Sequence, residues 1–256
     1  MVRREGVNNA PSVIWRRYEI KYLIDESQAT GIRQFIQSYV RPDKHAVNRP
    51  NYAYPITTLY LDSKNLQLFR ESFEGHKNRF KLRIRSYTDD QSYPRFVEIK
   101  RRASVIIIKS RTKVPHASIA SIVQGSVNGE ADGNGEEAKS LRQFMLYSQW
   151  LKAGPVLRTR YMRQAFQSTA DDRVRITFDR NLCYAVTPTA DVGLNGKGWH
   201  ALLPNKVVLE IKFTGHYPTW LSGLARHFNL QQMSVSKYAL SVKQASLIRA
   251  MKVAES

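Results

Sequence analysis

Six segments of the chain alternate apolar and charged side chains, which is the pattern of β-strands that bury one face. In the segment at 79–87, for example, one face carries basic residues and the other carries apolar ones. The six segments are RRYEIKY (16–22), RFKLRIRSY (79–87), RFVEIKRR (95–102), IIIKSRTK (106–113), RVRITFD (173–179) and VVLEIKFT (207–214). The alternation therefore predicts at least six half-buried strands.

The charged faces of these strands are strongly biased in sign. They consist of Arg17, Glu19 and Lys21; Arg79, Lys81, Arg83 and Arg85; Glu98, Lys100 and Arg102; Lys109, Arg111 and Lys113; Arg173, Arg175 and Asp179; and Glu210 and Lys212. These faces hold 14 basic and 4 acidic residues, whereas the whole chain holds 40 and 21. The positive charge is therefore concentrated on the predicted strands.

This bias indicates a polyanion as partner. Each strand alone is typical of a half-buried antiparallel strand whose polar side faces water. A solvated sheet mixes signs, however, because like charges directly opposite each other are destabilising. Six strands of one dominant sign favour a common basic surface or tunnel.

The remaining pattern predicts an α+β fold in one domain. Strands are expected at 14–24, 54–61, 79–88, 93–102, 104–114, 156–167, 173–183 and 205–214, and helices at 26–39, 64–72, 116–123, 137–152, 217–228 and 236–252. These elements predict an antiparallel β-barrel tunnel or curled sheet, with helices packed on the outside to cover the apolar strand faces. The single domain spans 1–256, with a core at about 14–252 and a flexible insertion at about 125–137.

Composition narrows the class of protein. Hydrophobic residues make up 42% of the 256 positions, and no apolar run approaches the roughly 18–20 residues that span a bilayer. No secretory signal is visible, and one cysteine, Cys183, excludes an internal disulfide, so a cytoplasmic location is expected. A net charge of +19 would attract nucleic acid, an anionic membrane surface or a phosphate-rich molecule.

Two local motifs suggest phosphate chemistry. Glu-Ile-Lys occurs at 19–21, 98–100 and 210–212, and each copy places a carboxylate and an ammonium on one strand face. Such a pair suits a divalent cation together with the phosphate oxygens that it bridges, although three ordinary ion pairs would give the same pattern. Ser236 and Lys237 begin a predicted helix. A serine there is by itself more often a plain N-cap, but the surrounding basic strands favour a phosphate site at the helix start. The sequence contains no P-loop, protein-kinase or helical zinc motif.

Seven motifs in order resemble the VTC domain of polyphosphate polymerases, within the triphosphate tunnel metalloenzyme superfamily. They are YEIKYLI, TTLYLDS, KLRIRSY, VEIKR, RQAFQSTADDRVRITFD, VLEIKF and SKYALS, and the resemblance covers roughly residues 14–245. It implies the triphosphate tunnel fold and a manganese or magnesium ion. It also implies transfer of the γ-phosphoryl of ATP to a growing polyphosphate chain, with release of ADP.

The resemblance also implies the site residues. The phosphate-binding set is Lys21, Arg83, Arg85, Lys100, Lys113, Arg163, Arg175, Lys212, Ser236 and Lys237. Among these, the catalytic set is Lys100, Arg83, Arg85 and Lys212, and Glu210 is the implied metal ligand. The alternation along 156–167 disagrees at one position, because it groups Arg158 with Arg160 and places Arg163 on the opposite face. A β-bulge would reconcile the two.

Two other functions stay open. Superfamily members that hydrolyse triphosphates carry Glu-x-Glu-x-Lys on the first strand, where this chain has arginine at the first position (Arg17). One carboxylate fewer favours a polymerase over an inorganic or nucleoside triphosphatase.

A non-catalytic module that binds polyphosphate or nucleic acid is the third possibility. Nucleic acid is not expected, because Phe80 and Phe96 form no coherent stacking face. The acceptor, chain length, preferred metal and oligomeric state are undetermined.

Overall fold

The computed structural model describes residues 17–104, 106–126, 134–170 and 173–254, and within these it describes side chains from residue 18 to residue 246. Most of the predicted insertion at 125–137, the tip of the hairpin near 171 and the first residues of the strand predicted at 14–24 lie outside the described residues.

Ten strands of the described chain form one antiparallel sheet. The strands are β1 (Arg17–Ile24), β2 (Val40–Pro42), β3 (Ala53–Asp62), β4 (Asn78–Ser86), β5 (Arg95–Ala103), β6 (Ile106–Val114), β7 (Gly154–Ser168), β8 (Val174–Val186), β9 (His200–Ala201) and β10 (Val207–Thr214). Their order across the sheet is β1, β10, β8, β7, β3, β4, β5, β6, while β2 pairs with β7 and β9 with β8. The short strands β2 and β9 were not predicted from the pattern.

Five of the six α-helices of the described chain pack on the outer face of the sheet, as predicted, whereas the sixth packs against residues of its concave face. The six helices are α1 (Glu26–Ile36), α2 (Gln67–Phe73), α3 (Ile119–Gln124), α4 (Glu136–Leu151), α5 (Thr219–His227) and α6 (Lys237–Ala254). Helix α1 begins at a capping box, in which Asp25 accepts from the Gln28 backbone and Gln28 reciprocates. The predicted strands and helices are all present, with ends shifted by a few residues.

Most apolar side chains of the strands point outward and are covered by helices α1 to α5, while a smaller apolar cluster on the concave face packs against α6. One core cluster joins Ile32 of α1 and Leu221 of α5 to β8 and β10. A second joins Ile122 of α3 and Phe144 of α4 to β4 and β5. Because the helices bury the apolar faces, the charged faces are left on the concave side of the sheet.

The sheet is curled rather than closed. Strands β1 and β6 are its edges and approach each other, but no ladder of backbone hydrogen bonds joins them in the described residues. Side chains bridge the gap instead, since the Lys100 ammonium on β5 lies 3.1 Å from both carboxylate oxygens of Glu19 on β1. The curled-sheet prediction is therefore correct, whereas the described strands do not close into a fully hydrogen-bonded barrel.

Candidate active site in the sheet lumen

The concave face of the sheet bounds a cavity of about 1080 Å³, which we call the lumen. Its lining is dominated by basic side chains, and the only carboxylates among the described residues that line it are Glu19 and Glu210. The basic residues are Lys21, Arg49, Arg79, Lys81, Arg83, Arg85, Lys100, Arg101, Arg102, Lys109, Arg111, Arg163, Arg173, Arg175, Lys212 and Lys237. Positive charge of this density in a concave space attracts anions.

Two Glu-Ile-Lys motifs face each other across strands β1 and β10. The antiparallel register sets Glu19 opposite Lys212 and Lys21 opposite Glu210. The Lys21 ammonium lies 3.1 Å from Glu19 and 3.5 Å from Glu210, and Lys212 lies 3.4 Å from Glu210. Burial raises the pKa of Glu19 and Glu210, but Lys21 and the other cations outweigh it and hold both pKa values well below the usual range. Both carboxylates are therefore ionised.

The third motif places Glu98 behind the lumen lining. Glu98 is 1% exposed on β5, and the register sets Arg83 of β4 on one side of it and Arg111 of β6 on the other. Its oxygens lie 2.7 Å from Arg83, 2.8 Å from Lys109, 3.4 Å from Arg111 and 3.8 Å from Arg85. One buried carboxylate thus fixes four lumen cations that come from two flanking strands.

Three lysines lie side by side on adjacent strands, two residues along β5 from Glu98. Lys100 of β5 lies directly opposite Lys81 of β4 and Lys109 of β6. Burial and nearby cations lower the pKa of Lys100 to about 7, that of Lys109 to about 8 and that of Lys81 well below its usual range. Adjacent like charges are unfavourable, so this row favours an anionic ligand.

A buried carboxylate on β8 orients the cations from β7 and α6. Asp179 is fully buried and accepts two hydrogen bonds from the Arg163 guanidinium, at 2.6 and 2.7 Å. The Lys237 ammonium lies 2.6 Å from Asp179 and 3.3 Å from Glu210. It also lies over the Tyr161 ring, 4.7 Å from the centroid. Burial lowers the pKa of Lys237, but Asp179 and Glu210 outweigh it and raise the pKa above its usual value.

The position of Arg163 resolves the disagreement seen in the sequence. Arg163 lines the lumen, whereas Arg158 and Arg160 stack on Trp199 at 4.6 and 4.4 Å and lie outside the lumen lining. The alternation along β7 is therefore correct as it stands. Two bulges occur nearby, but one extra residue lies in β8, beside Asn181 with φ of +52°, and the other is Val156 of β7, so neither interrupts β7 between Arg158 and Arg163.

The structure gathers most of the predicted site residues in the lumen. Those that line it are Lys21, Arg83, Arg85, Lys100, Arg163, Arg175, Glu210, Lys212, Ser236 and Lys237. Arg175 donates to Asp43 at 2.6 Å and to the Tyr54 hydroxyl at 3.4 Å. Lys113 lies apart from the others, because its side chain is exposed on β6 and outside the lumen lining.

Several lumen residues were absent from the predicted site set. Lys81, Lys109, Arg111 and Glu19 lie on charged faces that the alternation had identified, so period two alone signalled them. Tyr161 carries the same signal, since it shares a strand face with Arg163. The alternation therefore identified more of the lumen residues than the family resemblance implied.

The lumen carboxylates fit a metal ion that arrives with phosphate. Among the described residues, no three His, Cys, Asp or Glu side chains converge on one point. Glu19 and Glu210 lie close together, because both contact Lys21 and Lys212. Magnesium-like ions accept one or two carboxylates when substrate phosphates supply further oxygens. Glu210 and its neighbour Glu19 therefore suit such an ion.

Comparison with known proteins gives one family match. The family model described as VTC domain matches residues 16–246. This range includes every described strand and the start of α6. No curated protein matches the chain.

Comparison with solved structures gives distant similarities. The chain is similar to the PH1819 protein of Pyrococcus horikoshii OT3, with 11% identity and a TM-score of 0.43, over 89% of this chain and 99% of that one. It is also similar to the Mimivirus capping enzyme triphosphatase, with 12% identity and a TM-score of 0.33, over 83% of this chain and 87% of that one. In the described part of the chain, no helix has the length and apolar character required to cross a membrane.

Proposed function

Because the chain belongs to the VTC domain family, we propose that it is a metal-dependent polyphosphate polymerase. A terminal oxygen of the polyphosphate acceptor forms a bond to the γ-phosphorus of ATP. The bond from that phosphorus to the β,γ-bridging oxygen breaks, and ADP leaves with the electron pair. Catalysis of this transfer consists mainly of positioning and charge neutralisation, which a lumen lined by arginine and lysine supplies.

The lumen residues have separate roles in this proposal. Arg83, Arg85, Lys100 and Lys212 neutralise charge that develops on the transferred group, and Arg suits bidentate contact with its oxygens. Lys21, Arg163, Arg175, Ser236 and Lys237 hold the rest of the phosphate chain. Glu210 holds a manganese or magnesium ion, which supplies further charge neutralisation when bound.

The buried carboxylates in and directly behind the lumen lining are poorly suited to activate water for hydrolysis. Glu19, Glu98, Asp179 and Glu210 are each ion-paired, and burial, which raises their pKa values, is outweighed by cations that lower them. Carboxylates with lowered pKa values are poor general bases for the activation of water. A terminal phosphate oxygen is already largely ionised near pH 7 and needs no base. The match to the VTC domain family over residues 16–246 is the observation that carries the proposal, and the basic lumen supports it.

Product analysis tests the assignment. We expect the protein with ATP and manganese to produce ADP and a growing internal-phosphate signal in phosphorus NMR. Glu210→Ala should abolish that signal, whereas Glu136→Ala, at an exposed ion pair on α4, should retain it. Orthophosphate without chain signal would identify a triphosphatase instead. Binding of tripolyphosphate without any turnover would identify a non-catalytic module.

A further inference from the structure

Lys81 differs from every other lysine that lines the lumen in the described chain. The ammonium groups of the other five have a carboxylate within 4 Å, namely Lys21, Lys100, Lys109, Lys212 and Lys237. Lys81 has no such partner among the described residues, and its ammonium donates to the Ser236 hydroxyl at 2.8 Å. Lys81 is therefore the lumen lysine of the described chain whose ammonium has no carboxylate within 4 Å.

The surroundings of Lys81 make its ammonium form unfavourable unless an anion is bound nearby. Lys81 is partly buried, and burial together with Lys21, Lys100 and Arg83 lowers its pKa well below the usual range. A cation removed from water requires a paired anion. An anion bound here would interact with several of these charges at once.

Ser236 supplies a second donor at the same place. Its hydroxyl oxygen accepts from the Lys81 ammonium and from the Ala239 backbone N–H at 3.2 Å. A serine hydroxyl has two acceptor sites and one donor hydrogen, so the hydrogen remains available for a ligand. Ser236 also directly precedes α6, whose first residue is Lys237, and the start of a helix favours negative charge.

We propose that Lys81 and Ser236 together form a phosphoryl subsite of the lumen. A phosphoryl group carries several acceptor oxygens and can bind an ammonium and a hydroxyl at the same time. The ligand is one phosphoryl group of a linear polyphosphate. The identity of the ligand rests on the proposed function. The need for an anion rests on the geometry, because Lys81 lies beside Lys100 and has no carboxylate partner among the described residues.

Calorimetric titration with tripolyphosphate, without metal or nucleotide, tests the subsite. We expect Lys81→Gln to weaken tripolyphosphate binding about tenfold, which is the scale of one lost charged contact. Lys77→Gln, at an exposed lysine just before β4, should bind within about twofold of the wild type. The melting temperature of Lys81→Gln should equal or exceed that of the wild type, because the variant removes an amine whose charged form is unfavourable without a bound anion.

The variants separate the subsite from the wider proposal. Absence of tripolyphosphate binding by the wild type would contradict the proposed function itself. Tight binding by the wild type and equally tight binding by Lys81→Gln would overturn the subsite alone. Lys81→Arg, which keeps the charge, should bind more tightly than Lys81→Gln. Effects of Lys81→Gln and Ser236→Ala that add independently would also contradict a shared subsite.

Discussion

Glu98 shows how strongly one residue can organise the lumen. Its two oxygens contact cations from strands on both sides, with Arg83 at 2.7 Å and Lys109 at 2.8 Å. Removal of one member of a buried ion pair typically destabilises a protein by about 3–5 kcal/mol. Without a bound anion, the stability of the protein therefore depends on Glu98, because this carboxylate offsets the charges of the arginines and the lysine that contact it.

Glu98→Gln tests this role. We expect the variant to lose thermal stability, because its cations keep their repulsion and lose their anion. Tripolyphosphate should raise the melting temperature of Glu98→Gln by more than it raises that of the wild type, since it supplies the missing negative charge. Glu136→Gln, at an exposed ion pair with Lys139, is the matched control and should respond like the wild type. An equal or smaller ligand-induced rise in Glu98→Gln would show that Glu98 does not act through these cations.

At the level of elements, Asp62 joins β3 to two helices. Its carboxylate accepts backbone N–H groups of Leu68 and Phe69 in α2, and it accepts the Tyr238 hydroxyl of α6 at 2.6 Å. Tyr238 also stacks on Tyr60 of β3, with ring centroids 4.8 Å apart. These contacts fix the first turn of α6.

Tyr238→Phe tests whether this anchor also serves ligand binding. Loss of the hydroxyl should lower the free energy of unfolding by about 1 kcal/mol, measured by urea denaturation. It should also weaken tripolyphosphate binding, because Ser236 and Lys237 lie directly before the anchored residue. Tyr39→Phe, at an exposed tyrosine that stacks on Trp220, is the control. Unchanged affinity in Tyr238→Phe would mean that the anchor is purely structural.

At the scale of the whole molecule, positive charge opposes folding and favours ligand binding. The chain carries a net charge of +19, and part of it is enclosed in the lumen. Such self-repulsion destabilises the compact state until an anion offsets it. The protein is therefore expected to be more stable with a bound polyphosphate than without one.

The pH dependence of stability tests this balance. Burial lowers the pKa of Lys109 to about 8, whereas an unfolded lysine titrates near about 10.4. Between these values the unfolded chain binds more protons, so the free energy of unfolding should rise with pH from about 8 to 9.5. Tripolyphosphate affinity should fall over the same range, as the ammonium is lost. Melting temperatures and titrations at several pH values measure both, and a melting temperature that falls over this range would contradict the prediction.

The sequence by itself determined the strands and the identity of their charged faces. Alternation with a period of two follows from local backbone geometry, so it placed Lys81, Arg83 and Arg85 on one face whatever the rest of the chain does. The same local rule placed Arg163 opposite Arg158, which the structure confirms. The family-specific motifs then indicated the kind of ligand.

Only the tertiary structure decided which charges meet. Glu19 contacts Lys100 because the sheet curls until β1 approaches β5 and β6, and curvature is a property of the assembled sheet. The register between β4, β5 and β6 pairs Glu98 with arginines and leaves Lys81 beside lysine. Register depends on long-range pairing and packing, so the spacing of residues along the chain could not reveal that no carboxylate of the described residues lies within 4 Å of the Lys81 ammonium.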